Sequence, residues 1–451
     1  MIPSKTIIPD PSHQVHRDAL NIRIPPHWAI LCPELIYEIL IDCLSDVTLS
    51  TDTPGSFPWY LGHICQSWRS VFISSPRIWD RFSFNICLVG ETRLPQLSLA
   101  LIELCIERTK DHPFSFKFVG TPYAKFSLSS QIFETLVAHA DRWRAAYLMI
   151  DENTLNKSLT KAKGRFGQLH SLQISNLWRG NDPNDPRTPS NVFQDAPKLT
   201  RVYTRDYYQL PWSTLAVLHV DDPHSAPRFF ENLDKMTSLE ELVVRGLHDI
   251  HHDVAYISPT ELPSLKMLSV DHFPSSLHIK TPALESLYLG GALRAGLHTA
   301  IILLRGAPNL KTLSFYVNHV HDARVIQWSP ELDHLILSCD EKTSLEAFQS
   351  LLQSLASHST VYSLRRITID IRDLKPSRSG HSISIIHALS TVIKSWEKHQ
   401  FQKLCFVFLQ VNDDRSEGIT SAIADLMRVG ADKGFETDVK SSPLPTRLPF
   451  W

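Results

Sequence analysis

The chain has 451 residues, of which 43% are hydrophobic and 20% are charged. It is longer than one small domain, since domains usually run to about 100–200 residues, and its composition excludes wholesale disorder and collagen-like structure. Lys and Arg number 45 against 47 Asp and Glu, a formal net charge of −2. Because nucleic-acid binders usually carry a basic excess, we expect no nucleic-acid partner.

The N-terminal segment and the cysteines indicate the compartment. Residues 1–24 are predicted to be a flexible tail, and they lack the apolar core of a secretory signal. No uncharged apolar run approaches the ~18 residues of a membrane span. The seven cysteines form no CxxC pair, which argues against a disulfide framework or a structural zinc site. We therefore expect a cytoplasmic or nuclear protein, or one present in both compartments, with no membrane contact.

Residues 25–88 have the apolar spacing of a small helical domain. Leu31, Leu35 and Ile39 recur every four residues, which predicts a helix over Pro33–Leu44. A second helix is predicted over Trp59–Phe72, and the segment 74–84 turns at Pro76 to bring further apolar side chains back. The pattern predicts a three-helix bundle.

From residue 89 to 451, strands and helices alternate and one phrase repeats. The phrase P-x-L-x-x-[LV] occurs five times, at 197–202, 263–268, 282–287, 308–313 and 330–335. Versions without proline occur at 169–174, 215–220, 239–244 and 364–369. Such L-x-x-L-x-L segments are typical of leucine-rich repeats, in which each segment is a short strand with its leucines turned inward. The predicted fold class is therefore α+β or an α/β repeat: a three-helix bundle followed by an irregular leucine-rich-repeat solenoid, whose last units form a C-terminal cap.

The N-terminal motifs carry a resemblance to a known family. Three segments are involved: Leu31-Cys-Pro33-Glu-Leu35-Ile-Tyr-Glu-Ile39-Leu, Ile64-Cys-Gln-Ser-Trp68-Arg, and Pro-Arg-Ile-Trp at 76–79. Together they resemble the F-box of fungal F-box proteins. Two departures are Cys32, which separates Leu31 from Pro33, and Gln66, where the family often has a basic residue.

This resemblance implies an adaptor. The F-box would dock on Skp1, which joins a cullin ubiquitin ligase, and the repeats would hold a protein substrate. The residues that it assigns to the Skp1-facing surface or its support are Leu31, Pro33, Leu35, Ile39, Ile64 and Trp68. Taken singly, each of them fits the core of a small bundle equally well. The alternatives are a leucine-rich-repeat interaction scaffold with no link to ubiquitination and, third, a hydrolase.

The strand pattern also nominates substrate-binding residues. Residues between the inward leucines point to the opposite face of a strand, which is the concave face in leucine-rich repeats. Aromatic and arginine side chains tend to dominate interfaces, so Tyr288, Tyr316 and Arg366 are the substrate-binding candidates. Ordinary solvent-facing strand residues would show the same pattern.

Other motifs do not assemble a catalytic, cofactor or metal site. His248 with His252, and His319 with His321, have spacings that suit a metal ion but no evident third ligand. The glycines at 291 and 296 have P-loop spacing without the Lys and Ser or Thr that a phosphate cradle requires. His63 and Cys65, two residues apart on a predicted helix, would point away from each other. The sequence therefore predicts a non-enzymatic protein without cofactors.

Overall fold

The structure of the protein is a computed structural model, and its description covers two groups of residues. The first group is 31–44, 49–50, 59–85, 95–120, 127–150, 152–175, 190–221 and 229–245. The second is 260–271, 278–290, 293–317, 329, 331–339, 343–357, 364–371, 379–395, 406–411, 417–434 and 436–441. The predicted tail at 1–24 lies outside the described residues.

Nine α-helices occur within these residues. They are α1 (Pro33–Leu44), α2 (Gln66–Ser74), α3 (Pro95–Thr109), α4 (Ser127–Ala138), α5 (Glu152–Leu159), α6 (Leu293–Arg305), α7 (Leu345–Ser357), α8 (Ser379–Ser395) and α9 (Glu417–Lys433). Short 3₁₀ turns lie at Trp59–His63, Pro76–Ile78, Ala140–Arg142, Thr160–Ala162, Trp212–Thr214 and Leu233–Lys235.

The strands are short, mostly of four to six residues. They are β1 (Leu49–Ser50), β2 (Arg81–Asn85), β3 (Phe114–Val119), β4 (Trp143–Met149), β5 (Ser171–Ile174), β6 (Arg201–Thr204), β7 (Val217–Val220), β8 (Glu241–Val244), β9 (Thr260–Glu261), β10 (Met267–Val270), β11 (Ile279–Lys280), β12 (Ser286–Leu289), β13 (Thr312–Tyr316), β14 (His334–Ser338), β15 (Arg366–Asp370), β16 (Phe406–Val411) and β17 (Glu436–Ser441).

Fifteen of these strands form one parallel sheet in chain order. β1 and β17 form its two edges, every other strand of the sheet pairs with two neighbours, and β9 and β11 form a separate parallel pair. Sequential parallel strands require a crossover between neighbours. In the described part of the chain some crossovers contain an α-helix and others a 3₁₀ turn, whereas β9 and β11 lie in the crossovers from β8 to β10 and from β10 to β12.

The leucine phrases supply the strands of the middle of the sheet. The second apolar residue of each L-x-x-L phrase points inward, and these residues form one in-register row across nine strands. Each residue of the row is at most 2% exposed. The row is Leu172, Val202, Leu218, Leu242, Leu268, Leu287, Leu313, Leu335 and Ile367. The prediction that the L-x-x-L-x-L segments are strands with inward leucines is confirmed.

The predicted fold class, a three-helix bundle followed by an irregular leucine-rich-repeat solenoid, is wrong. The described part of the N-terminal block contains two α-helices, and its segments β1 and β2 are the first two strands of the sheet. The buried Phe82 and Phe84 alternate with half-buried residues in β2. This period of two is typical of a strand and not of a helix. One apolar core runs from Ile36 to Val429. The protein is an α/β fold whose main sheet has fifteen strands, and the predicted boundary at residue 88 lies outside the described residues.

Candidate docking surface on the N-terminal helices

Helix α1 buries one apolar face and exposes another. Ile36, Leu40 and Leu44 recur every four residues and are buried. Leu35 and Ile39, one turn apart, are 52% and 38% exposed. Residues four apart lie on the same side of a helix, so these two side chains form an apolar pair in water. The exposed charged residues of this helix, Glu34, Glu38 and Asp42, are all acidic.

A further exposed apolar side chain, that of Ile64, lies just before α2. The predicted continuous helix over Trp59–Phe72 is interrupted: a 3₁₀ turn ends at His63, Cys65 is fully extended, and α2 begins at Gln66. Ile64 lies at this break and is 54% exposed. The break is stabilised by Arg69, whose Nε donates to the Gly62 carbonyl oxygen at 3.0 Å.

Two further apolar side chains of this region were not predicted as site residues. Tyr60 is 69% exposed and Ile73 is 42% exposed. Of the six large apolar side chains that are exposed in the described part of the chain, five therefore lie between residues 35 and 73, and the sixth is Met427. We name Leu35, Ile39, Tyr60, Ile64 and Ile73 the N-terminal apolar surface. Tyr60 and Ile73 lie outside the motifs that resemble an F-box, so the resemblance gave no signal for them.

The remaining predicted residues support these helices. Leu31 and Trp68 are half-buried and pack against the core. Pro33 is the first residue of α1, a position that tolerates proline because the first backbone N–H groups of a helix have no partner within it. The structure therefore places four of the six predicted residues in α1 and α2, which pack on each other, and Leu31 and Ile64 just before these helices.

An aromatic cluster fixes the helices to the sheet. The Trp79 indole is 1% exposed, and its Nε1 donates to the Phe72 carbonyl oxygen at the end of α2, at 2.9 Å. Trp59 and Phe72 pack on its ring with centroid distances of 5.8 and 5.2 Å. The Arg108 guanidinium lies 4.1 Å from its ring centroid, and burial lowers the pKa of Arg108. The segment that carries the exposed apolar residues is thus packed on a buried aromatic cluster.

The three substrate-binding candidates lie on one face of the sheet. The strands β12, β13 and β15 carry Tyr288, Tyr316 and Arg366, and the register places all three on the side opposite the leucine row. Neighbouring strands are about 4.8 Å apart, so the three residues span roughly 15 Å. Both tyrosines are half-buried and Arg366 is exposed. We name this side of the sheet the polar face.

Polar contacts order the side chains around Arg366. Its Nη2 lies 3.1 Å from an oxygen of Asp333, which also pairs with Arg365 at 3.4 Å. On the neighbouring strand, His334 Nε2 lies 2.8 Å from the Thr368 hydroxyl. Burial, aided by the Arg366 charge, lowers the pKa of His334 to about 4. The imidazole is therefore neutral at physiological pH, and the charge at this point of the face belongs to Arg366.

Most of the other sequence motifs lie outside the described residues. His248, His252, His319 and His321 lie outside the described residues, as does Gly291, whereas Gly296 lies within α6. His63 and Cys65 are both exposed, and the His63 Nδ1 accepts a hydrogen bond from Arg69. Among the described residues, no group of three metal-binding side chains occurs, and no helix has the length and apolar character to cross a bilayer.

Comparisons with known proteins leave the family open. No family model matches the chain, and no curated protein matches it either. A solved protein from Bacteroides fragilis is similar over 76% of this chain and 80% of its own, at 13% sequence identity and a TM-score of 0.30. A likeness at this level carries no argument about fold or function.

Proposed function

We propose that the protein is a non-catalytic substrate-recognition adaptor of a Skp1-cullin-F-box type ubiquitin ligase, acting in the cytoplasm, the nucleus or both. The observation that carries the proposal is the N-terminal apolar surface. Leu35, Ile39 and Ile64 are among its five members, and they are also residues through which the chain resembles an F-box.

The energetics of exposure support a docking role. Full burial of a Leu or Ile side chain is worth about 1.5–3 kcal/mol. Leu35 and Ile39 lie one turn apart on α1 and are both exposed, and adjacent exposed apolar side chains indicate an interaction site more than scattered ones do. The half-buried Leu31 and Trp68 brace the helices, so their loss would weaken docking indirectly.

The polar face supplies the second half of the proposal. Tyr288, Tyr316 and Arg366 share one side of the sheet, and tyrosine and arginine are enriched among the residues that dominate protein interfaces. We propose that a protein substrate binds there.

A stand-alone interaction scaffold is the second candidate. The polar face favours it as much as it favours an adaptor, because a face of tyrosines and arginine binds a protein partner whether or not ubiquitin transfer follows. The two functions differ only at the N-terminal apolar surface, which a scaffold does not need.

The test is co-expression of the full chain with Skp1. Wild-type protein should copurify with Skp1, and Leu35→Ala with Ile39→Ala should weaken the complex. Truncation of two half-exposed side chains removes about 2–3 kcal/mol of burial, or roughly a 30- to 150-fold increase in Kd. The matched control is Met427→Ala, which removes an exposed apolar side chain from α9 and should leave Skp1 binding unchanged.

Isothermal titration calorimetry gives the Kd values, and circular dichroism verifies that each variant is folded. A folded double variant with wild-type affinity for Skp1, or a wild-type chain with no affinity, would overturn the adaptor proposal and leave the scaffold.

A further inference from the structure

Arg69 bonds the chain on both sides of Ile64. It lies in α2, and its Nε donates to the Gly62 carbonyl oxygen at 3.0 Å. Its Nη2 lies 2.9 Å from Nδ1 of His63, and because a guanidinium group only donates, the imidazole nitrogen accepts. Its backbone N–H donates to the Cys65 carbonyl oxygen at 3.0 Å. One residue thus holds the two positions before Ile64 and the position after it.

The backbone changes conformation at Ile64. The 3₁₀ turn Trp59–His63 ends directly before this residue, and Cys65 directly after it has φ −158° and ψ 177°, which is extended backbone. The Ile64 side chain is 54% exposed, so packing restrains less than half of its surface. Its orientation therefore depends on how the backbone of residues 62–65 is held.

The Gly62 carbonyl oxygen is a fixed acceptor for Arg69. Gly62 is buried, and a Cβ added there would lie 3.0 Å from a ring carbon of Phe72. Phe72 is 3% exposed and packs on the Trp79 ring. Arg69 itself is exposed. Its hydrogen bonds therefore connect the Ile64 segment to a buried cluster, while its own side chain is not part of the core.

We propose that Arg69 is a positioning residue of the N-terminal apolar surface, which holds Ile64 in the orientation that Skp1 binds. This inference rests on the proposed adaptor function. A side chain that is ordered before binding loses less conformational entropy in the complex, so Arg69 raises the affinity without contacting the partner. Arginine suits this role because its Nε and Nη2 donors lie in one rigid plane, whereas lysine carries a single ammonium group on a flexible stem.

A double-mutant cycle, measured by calorimetric titration of Skp1 into the full chain, tests this role. We expect Arg69→Ala to raise the Kd about ten-fold, which is the order of the cost of fixing one backbone residue. In a chain that already carries Ile64→Ala, the same change should raise the Kd less than about three-fold, because the side chain to be positioned is gone. The matched control is Arg428→Ala on α9, an exposed arginine paired with Asp425, which should leave the Kd unchanged.

Methyl spectra of the free chain test the positioning without Skp1. In a deuterated chain with labelled isoleucine δ1-methyl groups, the order parameter of the Ile64 methyl should fall in Arg69→Ala, because more conformations become accessible. The internal control is the methyl of Ile39, which is also exposed but lies on α1. Arg69→Lys keeps the positive charge and should behave like Arg69→Ala in both measurements. It also replaces Arg69→Ala if that variant melts early.

A folded Arg69→Ala or Arg69→Lys chain with wild-type affinity would overturn the inference, and so would an unchanged Ile64 methyl. Losses of affinity that multiply in the double variant also contradict it, because independent losses indicate that Arg69 contacts Skp1 itself. The adaptor proposal survives each of these results. A wild-type chain without affinity for Skp1 instead overturns the adaptor proposal, and the docking role of Arg69 falls with it.

Discussion

At the scale of single residues, His334 makes the stability of the protein depend on pH. Burial and the Arg366 charge lower the pKa of its imidazole to about 4, against the opposing effect of Asp333, whereas an unfolded histidine has a pKa of about 6.5. As the pH falls through this window, the unfolded chain binds a proton that the folded chain does not. The free energy of unfolding therefore decreases with falling pH.

The variant His334→Gln should lose less stability than the wild type between about pH 7 and about pH 4.5. The full shift corresponds to about 3 kcal/mol, which solvent screening at this partly exposed site reduces to roughly 1–2 kcal/mol. Denaturant unfolding at both pH values measures the difference. His387→Gln, at an exposed position of α8, is the control, and an identical acid response in wild type and His334→Gln would contradict the assignment.

Gly290 lies so close to Asp271 that there is no room for a side chain at this position. A Cβ added there would lie 3.2 Å from the Cα of Asp271 and would also meet its carboxylate, so Gly290→Ala requires the backbone at the ends of β10 and β12 to separate. We expect a cost of about 1–3 kcal/mol. Gly167→Ala is the matched control, because an added Cβ there meets nothing within 4 Å. Thermal unfolding of both variants measures the contrast, and equal midpoints would contradict it.

At the scale of elements, successive side chains of β13 point to opposite faces of the sheet. Leu313 is fully buried in the core while Thr312 is half-buried on the polar face. Leu313→Ala should cost about 2–5 kcal/mol, because a cavity adds to the lost burial. Thr312→Ala should cost less than about 1 kcal/mol. Denaturant unfolding distinguishes the two variants, and comparable losses would mean that the register of this strand is misassigned.

Local periodicity made several elements predictable. The predicted helix over Pro33–Leu44 is α1, and the L-x-x-L-x-L segments are strands of the sheet. The sequence did not reveal that Phe82 and Phe84 join the sheet, because two aromatic residues in a short segment suit a bundle and a strand alike.

At the scale of the whole molecule, the chain carries its two proposed functional surfaces at separate positions along one sheet. The N-terminal apolar surface belongs to residues 35–73, which precede β2 in the chain, and Tyr288, Tyr316 and Arg366 lie on β12, β13 and β15. Sites that share no side-chain contacts usually contribute independently to free energies. Loss of one binding activity should therefore leave the other intact.

The triple variant Tyr288→Ala, Tyr316→Ala and Arg366→Ala tests this independence. The three side chains are half-buried or exposed on the polar face, so their removal should leave the fold and Skp1 binding intact. Loss of dominant interface residues costs about 2 kcal/mol or more each, so we expect a substrate to bind at least roughly 100-fold more weakly.

The measurement compares partners captured by the wild-type and triple-variant chains, each copurified with Skp1, by quantitative mass spectrometry. The control is Arg365→Ala, which removes the other arginine paired with Asp333 and should preserve capture. A partner retained equally by the triple variant does not bind through these residues. Simultaneous loss of Skp1 would instead mean that the polar face stabilises the fold, because a surface used only for substrate cannot affect docking at the far end of the sheet.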